Sequence, residues 1–250
     1  MKSASPALEA EGVTVQFGGL LALDDVSLTV ASGGRHGILG PNGAGKTTLF
    51  NVITGFVPAQ KGRITVQGKE VTRLRPHRRV SLGMVRTFQI TTLLPDLTAL
   101  ENVLLGALMH LGHQRDFLHR ARSDREARKQ SMDKLRALEL DDLADVRVGQ
   151  LGYGQQRQLE IALALALEPR LLLLDEPTAG LSAAETTAVL DLLVRLPGDL
   201  TLVIIEHDLE VVFQVADHLT VLHYGKCIAD GPAEVVRQDP VVREVYLGAR

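Results

Sequence analysis

Two kinds of apolar patterning divide this chain. Strict alternation in Val13-Thr14-Val15-Gln16-Phe17, in Val26-Ser27-Leu28-Thr29-Val30 and in Arg63-Ile64-Thr65-Val66-Gln67 predicts half-buried strands that pair antiparallel. Leu171-Leu172-Leu173-Leu174 and Leu202-Val203-Ile204-Ile205 are instead continuous apolar runs, each ending in acidic residues, as expected of parallel strands buried on both faces. His36-Gly37-Ile38-Leu39 is a third short apolar run, followed by a predicted helix from Thr47 to Ile53, and a longer helix is predicted from Gln156 to Leu167. Helices between apolar strands make a βαβ pattern, hence an α/β class with a parallel core sheet and an antiparallel β subdomain. From about Asp96 to Asp145 such runs are missing. That stretch is charge-rich from Arg115 to Lys134, carries Met132, Leu135 and Leu138 at helical spacing, and predicts a separate helical lobe. Pro232 and Pro240 each open a short helix, which predicts a C-terminal appendage.

Composition changes this picture only at the margins. A chain of 250 residues with 45% hydrophobic content can fill a sizeable core. A net charge of −3 and a pI near 6.2 supply no global attraction to nucleic acid. The cluster Arg73, Arg75, Arg78, Arg79 and Arg86 reads by default as solvated surface. Cys227 is the only cysteine, so no internal disulfide or cysteine-built zinc site forms, and it reads as a small residue in a strand. Met1 to Pro6 leads into no apolar segment, and charges or prolines interrupt every later run well short of about 18 residues. The expectation is a cytosolic protein that meets a membrane only through partners.

The chemistry concentrates in a few segments. Gly40-Pro41-Asn42-Gly43-Ala44-Gly45-Lys46-Thr47 fits G-x-x-x-x-G-K-[ST] between a strand and a helix. Glycines there let backbone N–H groups close around phosphates, the lysine reaches the terminal ones, and the Thr47 hydroxyl is placed for magnesium. Asp175 and Glu176 close the leucine run, at the sheet edge where open α/β sheets bind ligands. Adjacent carboxylates there ask for a cation: Asp175 would hold phosphate-bound magnesium through water, and Glu176 would polarise an attacking water. Glu206-His207-Asp208 ends the next run likewise, placing His207 at the same edge. Phe17, followed by two glycines, offers a face for stacking adenine or a core contact. Leu151-Gly152-Tyr153-Gly154-Gln155 opens a long helix without a strand of its own, so it presents a second anion-binding surface. One complete phosphate loop and one orphan helix terminus suggest two copies packed head to tail.

In this order the segments resemble the ATP-binding cassette (ABC) ATPases over nearly the whole chain, with residues 7–250 forming one ATP-binding domain. The resemblance implies a P-loop NTPase fold with a parallel core sheet, an antiparallel β subdomain, a helical subdomain at about 92–160 and a C-terminal appendage at about 231–250. It makes Phe17 the adenine-stacking aromatic, Gly40 through Lys46, Thr47 and Thr48 the Walker A loop, and Gln89 the Q-loop residue sensing magnesium and attacking water. Leu151, Gly152, Tyr153, Gly154 and Gln155 match the signature motif; Asp175 and Glu176 match the Walker B aspartate and catalytic glutamate; His207 matches the switch histidine. Catalytic roles thus fall on Glu176, His207, Gln89 and Lys46, and metal contacts on Thr47, Gln89 and Asp175, with ATP and Mg2+ as cofactors.

The Tyr-Gly-Gln form of the signature, Arg86-Thr87-Phe88-Gln89-Ile90 and the closing Val245-Tyr246-Leu247-Gly248 are similar to the branched-chain amino acid importer group. Urea or amide importers share these features, lipopolysaccharide-export ATPases share part of them, and a soluble non-transport ABC ATPase is a further alternative. The resemblance implies a second ATPase subunit (paralogue or self), two membrane permeases gripped by the helical lobe, an indirect link to a solute-binding protein, no nucleic acid, and a peripheral place on the cytoplasmic face of the plasma membrane. Two departures stand out. Gly152 replaces the usual signature serine, removing a hydrogen bond to phosphate of about 1.5–3 kcal/mol, and Ser182 replaces the usual D-loop aspartate.

Overall fold

The computed structural model describes residues 5–87, 93–111 and 124–247. The chain divides into two compact units: Met1–Arg86 with Arg170–Pro177 and Leu196–Arg250, and Thr87–Pro169 with Thr178–Arg195.

The first unit holds two sheets. The alternating segments form β1 (Leu8–Phe17), β2 (Leu20–Val30), β4 (Lys61–Val66) and the short β5 (Lys69–Glu70), antiparallel in the order β2-β1-β4-β5. The continuous runs form β3 (Arg35–Leu39), β7 (Leu171–Asp175) and β8 (Thr201–Glu206), which join β6 (Met84–Arg86), β9 (His218–His223) and β10 (Lys226–Pro232) in the order β10-β9-β3-β8-β7-β6. All neighbours in this second sheet run parallel except β9 and β10, which make a hairpin. Every residue of β7 and β8 is buried, which explains why their sequences carry no alternation. Successive β3 residues serve opposite faces: Ile38 packs with Val13, Leu23, Phe50 and Ile205, whereas Leu39 packs with Val212, Val221, Val236 and Val242. Helices α1 (Lys46–Thr54) and α2 (Pro76–Val80) follow the phosphate loop and β5 respectively.

Two arginines overturn the expectation of a solvated cluster. Arg79 is 2% exposed, and its guanidinium donates to four carbonyls: Val52 (2.8 Å) and Ile53 (2.5 Å) in the last turn of α1, Thr72 (3.0 Å) and Leu74 (2.9 Å). It thereby satisfies helix-end acceptors that a helix cannot satisfy alone. Burial pulls its guanidinium down to about 10, still charged at neutral pH. Arg86, at the end of β6, donates to Asn51 Oδ1 (2.7 Å) and Thr54 Oγ1 (3.2 Å) of α1, forms a buried ion pair with Asp175 (2.6 Å) and lies 5.4 Å from the Phe50 ring centre. Arg73, Arg75 and Arg78 are exposed, as expected.

In the second unit, α3 (Ala99–His110) starts at a capping box of Thr98 and Glu101, and α4 (Arg125–Ala137) is capped by Asp124. Both pack on α5 (Tyr153–Leu165). Gly106 permits the α3 approach, because a Cβ there would sit 2.7 Å from Leu163 O. α5 begins at Tyr153, three residues before the expected Gln156, since Gly152 is its N-cap and the Gln155 side chain accepts from the Gly152 N–H at 3.0 Å. α6 (Ala183–Val194) follows the segment at 179–182. The chain ends in α7 (Leu209–Val215), α8 (Ala233–Gln238) and α9 (Pro240–Leu247), which belong to the first unit. Among the described residues no helix is long and apolar enough to cross a membrane.

Candidate functional site

β3 delivers the chain to the carboxyl edge of the parallel sheet, between the ends of β8 and β9, and there the backbone turns sharply. Gly43 (φ 80°) and Gly45 (φ 104°) adopt left-handed conformations that side chains resist, and a Cβ on Gly45 would lie 2.7 Å from Ala22 O. Lys46 then opens α1 with its ammonium folded over the loop, donating to Gly40 O (2.6 Å) and Pro41 O (3.2 Å). An ammonium has three donors, so one remains for a phosphate oxygen. Burial lowers the Lys46 amine from its ordinary value, and the carboxylates of Glu176, Glu206 and Asp175 oppose that shift.

A cleft of about 430 Å³ lies over this loop, lined by Asn42, Gly43, Ala44, Gly45, Lys46, Thr47 and Thr48, by Glu176 and by a largely apolar set on the other side. That set comprises Phe17, Leu20, Leu21, Ala22, Tyr224 and Gly225. Phe17, Leu20, Leu21 and Tyr224 are 49%, 66%, 41% and 80% exposed, an apolar wall next to a polar cradle. Gly40 and Pro41 contact the Lys46 ammonium from behind the cradle.

Asp175 and Glu176 close β7. Asp175 is buried and its Oδ2 takes the Arg86 guanidinium, so the carboxylate is held rigidly. Glu176 turns out of the strand with φ 44°, a left-handed conformation for a non-glycine residue, and reaches the cleft. His207, half exposed at the end of β8 with Nδ1 3.8 Å from Glu206 Oε2, stands outside the residues that line the cleft. Gln89 lies outside the described residues. The Thr47 hydroxyl and the Asp175 and Glu176 carboxylates are hard oxygen donors, a set that suits magnesium held mostly by water and phosphate.

The second unit contains Leu151 to Gln155 and the segment before α6. Leu151 is buried, Tyr153 is 44% exposed, and the two ends are tied by Glu185. Its Oε1 accepts from the Gly154 N–H (3.1 Å), and its Oε2 accepts from the Ser182 N–H (2.9 Å) and hydroxyl (2.7 Å). These donors hold the Glu185 carboxyl below its ordinary value, the Ser182 hydroxyl foremost. A Cβ on Gly154 would meet Glu185 Cγ at 2.6 Å, so any larger residue there displaces the Glu185 side chain from this bridge. Ser182 is thus the N-cap of α6, and part of the anion-binding capacity expected of the α5 terminus is taken by an internal carboxylate.

Sequence reasoning missed Arg86, Glu185, Tyr224 and the two leucines of the wall. A Ser-x-x-Glu spacing at 182–185 signals the cap alone, and no local signal marks the others.

Fold and cleft define a P-loop cassette that binds a nucleotide. The ABC transporter family profile matches residues 23–179, and the profile of the branched-chain amino acid ATP-binding cassette transporter matches residues 226–250. The chain is 41% identical to the high-affinity branched-chain amino acid transport ATP-binding protein BraF of Pseudomonas aeruginosa, covering 97% of this chain and 98% of that one. It is 36% identical to the probable branched-chain amino acid transport ATP-binding protein LivG of Methanocaldococcus jannaschii over 99% of this chain and 100% of that one. Among solved structures it resembles the ADP conformation of MJ1267, an ATP-binding cassette of an ABC transporter, with TM-score 0.83, 34% identity, and 97% and 99% coverage of the two chains. The chain belongs to the ABC transporter family and is an ATPase of that family.

Proposed function

We propose that the chain is the ATP-hydrolysing subunit of an importer for branched-chain amino acids. The observation that carries this is one cleft lined by Lys46, Thr47 and Glu176 together, in a chain whose last 25 residues, 226–250, match the branched-chain amino acid transporter profile. The loop N–H groups and the α1 terminus bind the phosphates, Lys46 holds the terminal ones, and Phe17 stacks the adenine. Thr47, Asp175 and Gln89 would hold magnesium, with Arg86 orienting the Asp175 carboxylate. When bound, magnesium neutralises phosphate charge as the terminal phosphoryl group leaves. Glu176 takes a proton from the attacking water, and His207 and Gln89 position that water and the phosphate.

A second cassette, a paralogue or another copy, presents its own equivalent of Leu151 to Gln155 to this phosphate, and this chain returns the service. Gly152 lacks the hydroxyl that such a contact uses, so the interaction falls to the first-turn amides of α5 other than those of Gly152 and Gly154, which Gln155 and Glu185 already occupy. Nucleotide binding closes the pair, the helical subdomain at about 92–160 passes the movement to two permeases, and hydrolysis reopens it. A solute-binding protein delivers the amino acid outside, and the subunit sits peripherally on the cytoplasmic face. In this reading residues 7–250 form one ATP-binding domain, with a C-terminal appendage at about 231–250.

The test is Glu176→Gln in the full chain. MgATP should bind as tightly as in the wild type, turnover should fall by about 100-fold or more, and gel filtration should show an ATP-dependent dimer. Normal turnover in the variant removes Glu176 from its role.

A further inference from the structure

The β9–β10 hairpin turns at Tyr224-Gly225, and both residues have left-handed backbones, φ 46° and 76°. That is the tight hairpin geometry usually built from Asn-Gly, and a tyrosine at its first position is strained. Strain of this kind persists only where surroundings hold it, and here they do. The Gly225 N–H donates to Ala44 O in the phosphate loop (3.0 Å), and Gly225 O accepts from the Asp24 N–H (2.8 Å). A Cβ at Gly225 would lie 2.7 Å from Ala22 O, and Lys226 pairs with Asp24 at 3.1 Å. The turn is therefore clipped to the phosphate loop on one side and to β2 on the other.

The side chain carried by this turn is 80% exposed. Its ring leans on His223, with centroids 4.2 Å apart and planes at 46°, leaving a face open. It lines the same cleft as Phe17, Leu20, Leu21, Thr47 and Thr48. A solvated hairpin tip needs neither an aromatic ring nor a strained backbone, and Asn would serve better. A flat ring held beside the phosphate cradle answers a flat ligand, and the ligand of this cleft carries a purine.

We propose that Tyr224 is a second base-binding aromatic, acting with Phe17 on the adenine of the bound nucleotide. The proposal rests on the nucleotide reading of the cleft and adds a contact from the C-terminal hairpin. Stacking supplies affinity for the base and none for the phosphates, and that difference makes the proposal testable.

Titrations of the full chain with MgATP and with inorganic tripolyphosphate, by calorimetry, compare Tyr224→Ala, Tyr224→Phe and Tyr224→Asn. Tyr224→Ala should weaken MgATP about 10-fold while tripolyphosphate affinity stays within twofold, and Tyr224→Phe should bind MgATP like the wild type. Tyr224→Asn should weaken MgATP as alanine does yet raise the melting temperature, because asparagine accepts the left-handed backbone. Equal MgATP affinity in Tyr224→Ala and wild type overturns the proposal. So does an equal loss for tripolyphosphate, which would reduce Tyr224 to a prop for the loop. Failure of the wild type to bind MgATP at all would instead sink the nucleotide reading itself.

Discussion

Replacing Arg79 by alanine removes the guanidinium that closes the end of α1. Four carbonyls, those of Val52, Ile53, Thr72 and Leu74, lose this donor in a place where Arg79 itself is only 2% exposed, Val52 O keeping the Gly55 N–H at 3.1 Å. A hydrogen bond from a charged group contributes about 1.5–3 kcal/mol, so four bonds set a ceiling of about 12 kcal/mol. Water entering the vacated volume, relief of the buried charge and about 2 kcal/mol of recovered side-chain entropy bring the net to roughly 3–5 kcal/mol. For a chain of this size that is a drop in melting temperature of about 10 °C. Urea denaturation of Arg79→Ala against wild type, with the exposed Arg78→Ala as control, reads the difference at constant slope. Arg79→Lys keeps the charge but not the fork and should lose about half as much. A loss under about 1 kcal/mol for Arg79→Ala, equal to that of Arg78→Ala, would refute the reasoning by showing that this guanidinium is solvated.

Two further predictions concern buried and bridging charges. His36 is 1% exposed, and because the Thr220 hydroxyl donates to Asp230 (2.5 Å), His36 Nε2 is the donor to Thr220 (2.8 Å). Burial first, then the stacked His218 ring 4.9 Å away, pulls its pKa down to about 4, against Asp230, which raises it. The unfolded chain takes up this proton near pH 6.5 and the folded chain only near 4, so this contribution is intact above pH 6.5 and lost as pH falls to about 4. The loss is about 3 kcal/mol, and His36→Gln should flatten that part of a melting-temperature profile against pH; an unchanged profile speaks against it. Glu185→Gln should speed amide exchange at Gly154 severalfold, because one carboxamide oxygen cannot serve both Gly154 and Ser182. Unchanged exchange there would mean that the bridge does not hold the α5 terminus.

The sequence made much of this legible because its strongest signals are local. Alternation in β1, β2 and β4 and continuous apolar runs in β7 and β8 each report the faces that a strand buries, and the phosphate loop encodes its own glycines. Arg79 and Arg86 escaped because each has acceptors 26 or more residues away, Val52 and Ile53 of α1 for the first, Asn51 of α1 and Asp175 of β7 for the second, and a polar residue in an arginine-rich stretch looks like surface. Glu185 and Tyr224 escaped for the same physical reason: each is defined by a partner brought near by tertiary packing, Gly154 in one case and the phosphate-loop cleft in the other. The start of α5 was misplaced because two glycines imply loop, whereas Gln155 caps Gly152 and lets the helix begin at Tyr153.

The most direct test of the central claim is uptake of labelled leucine by cells in which this chain is replaced by Lys46→Ala, with the permeases and binding protein left in place. Losing the lysine that holds the terminal phosphates should abolish energy-dependent leucine uptake while the variant chain remains at wild-type abundance. Leucine uptake that persists at the wild-type rate would contradict the account, showing that ATP bound in this cleft does not drive branched-chain amino acid import.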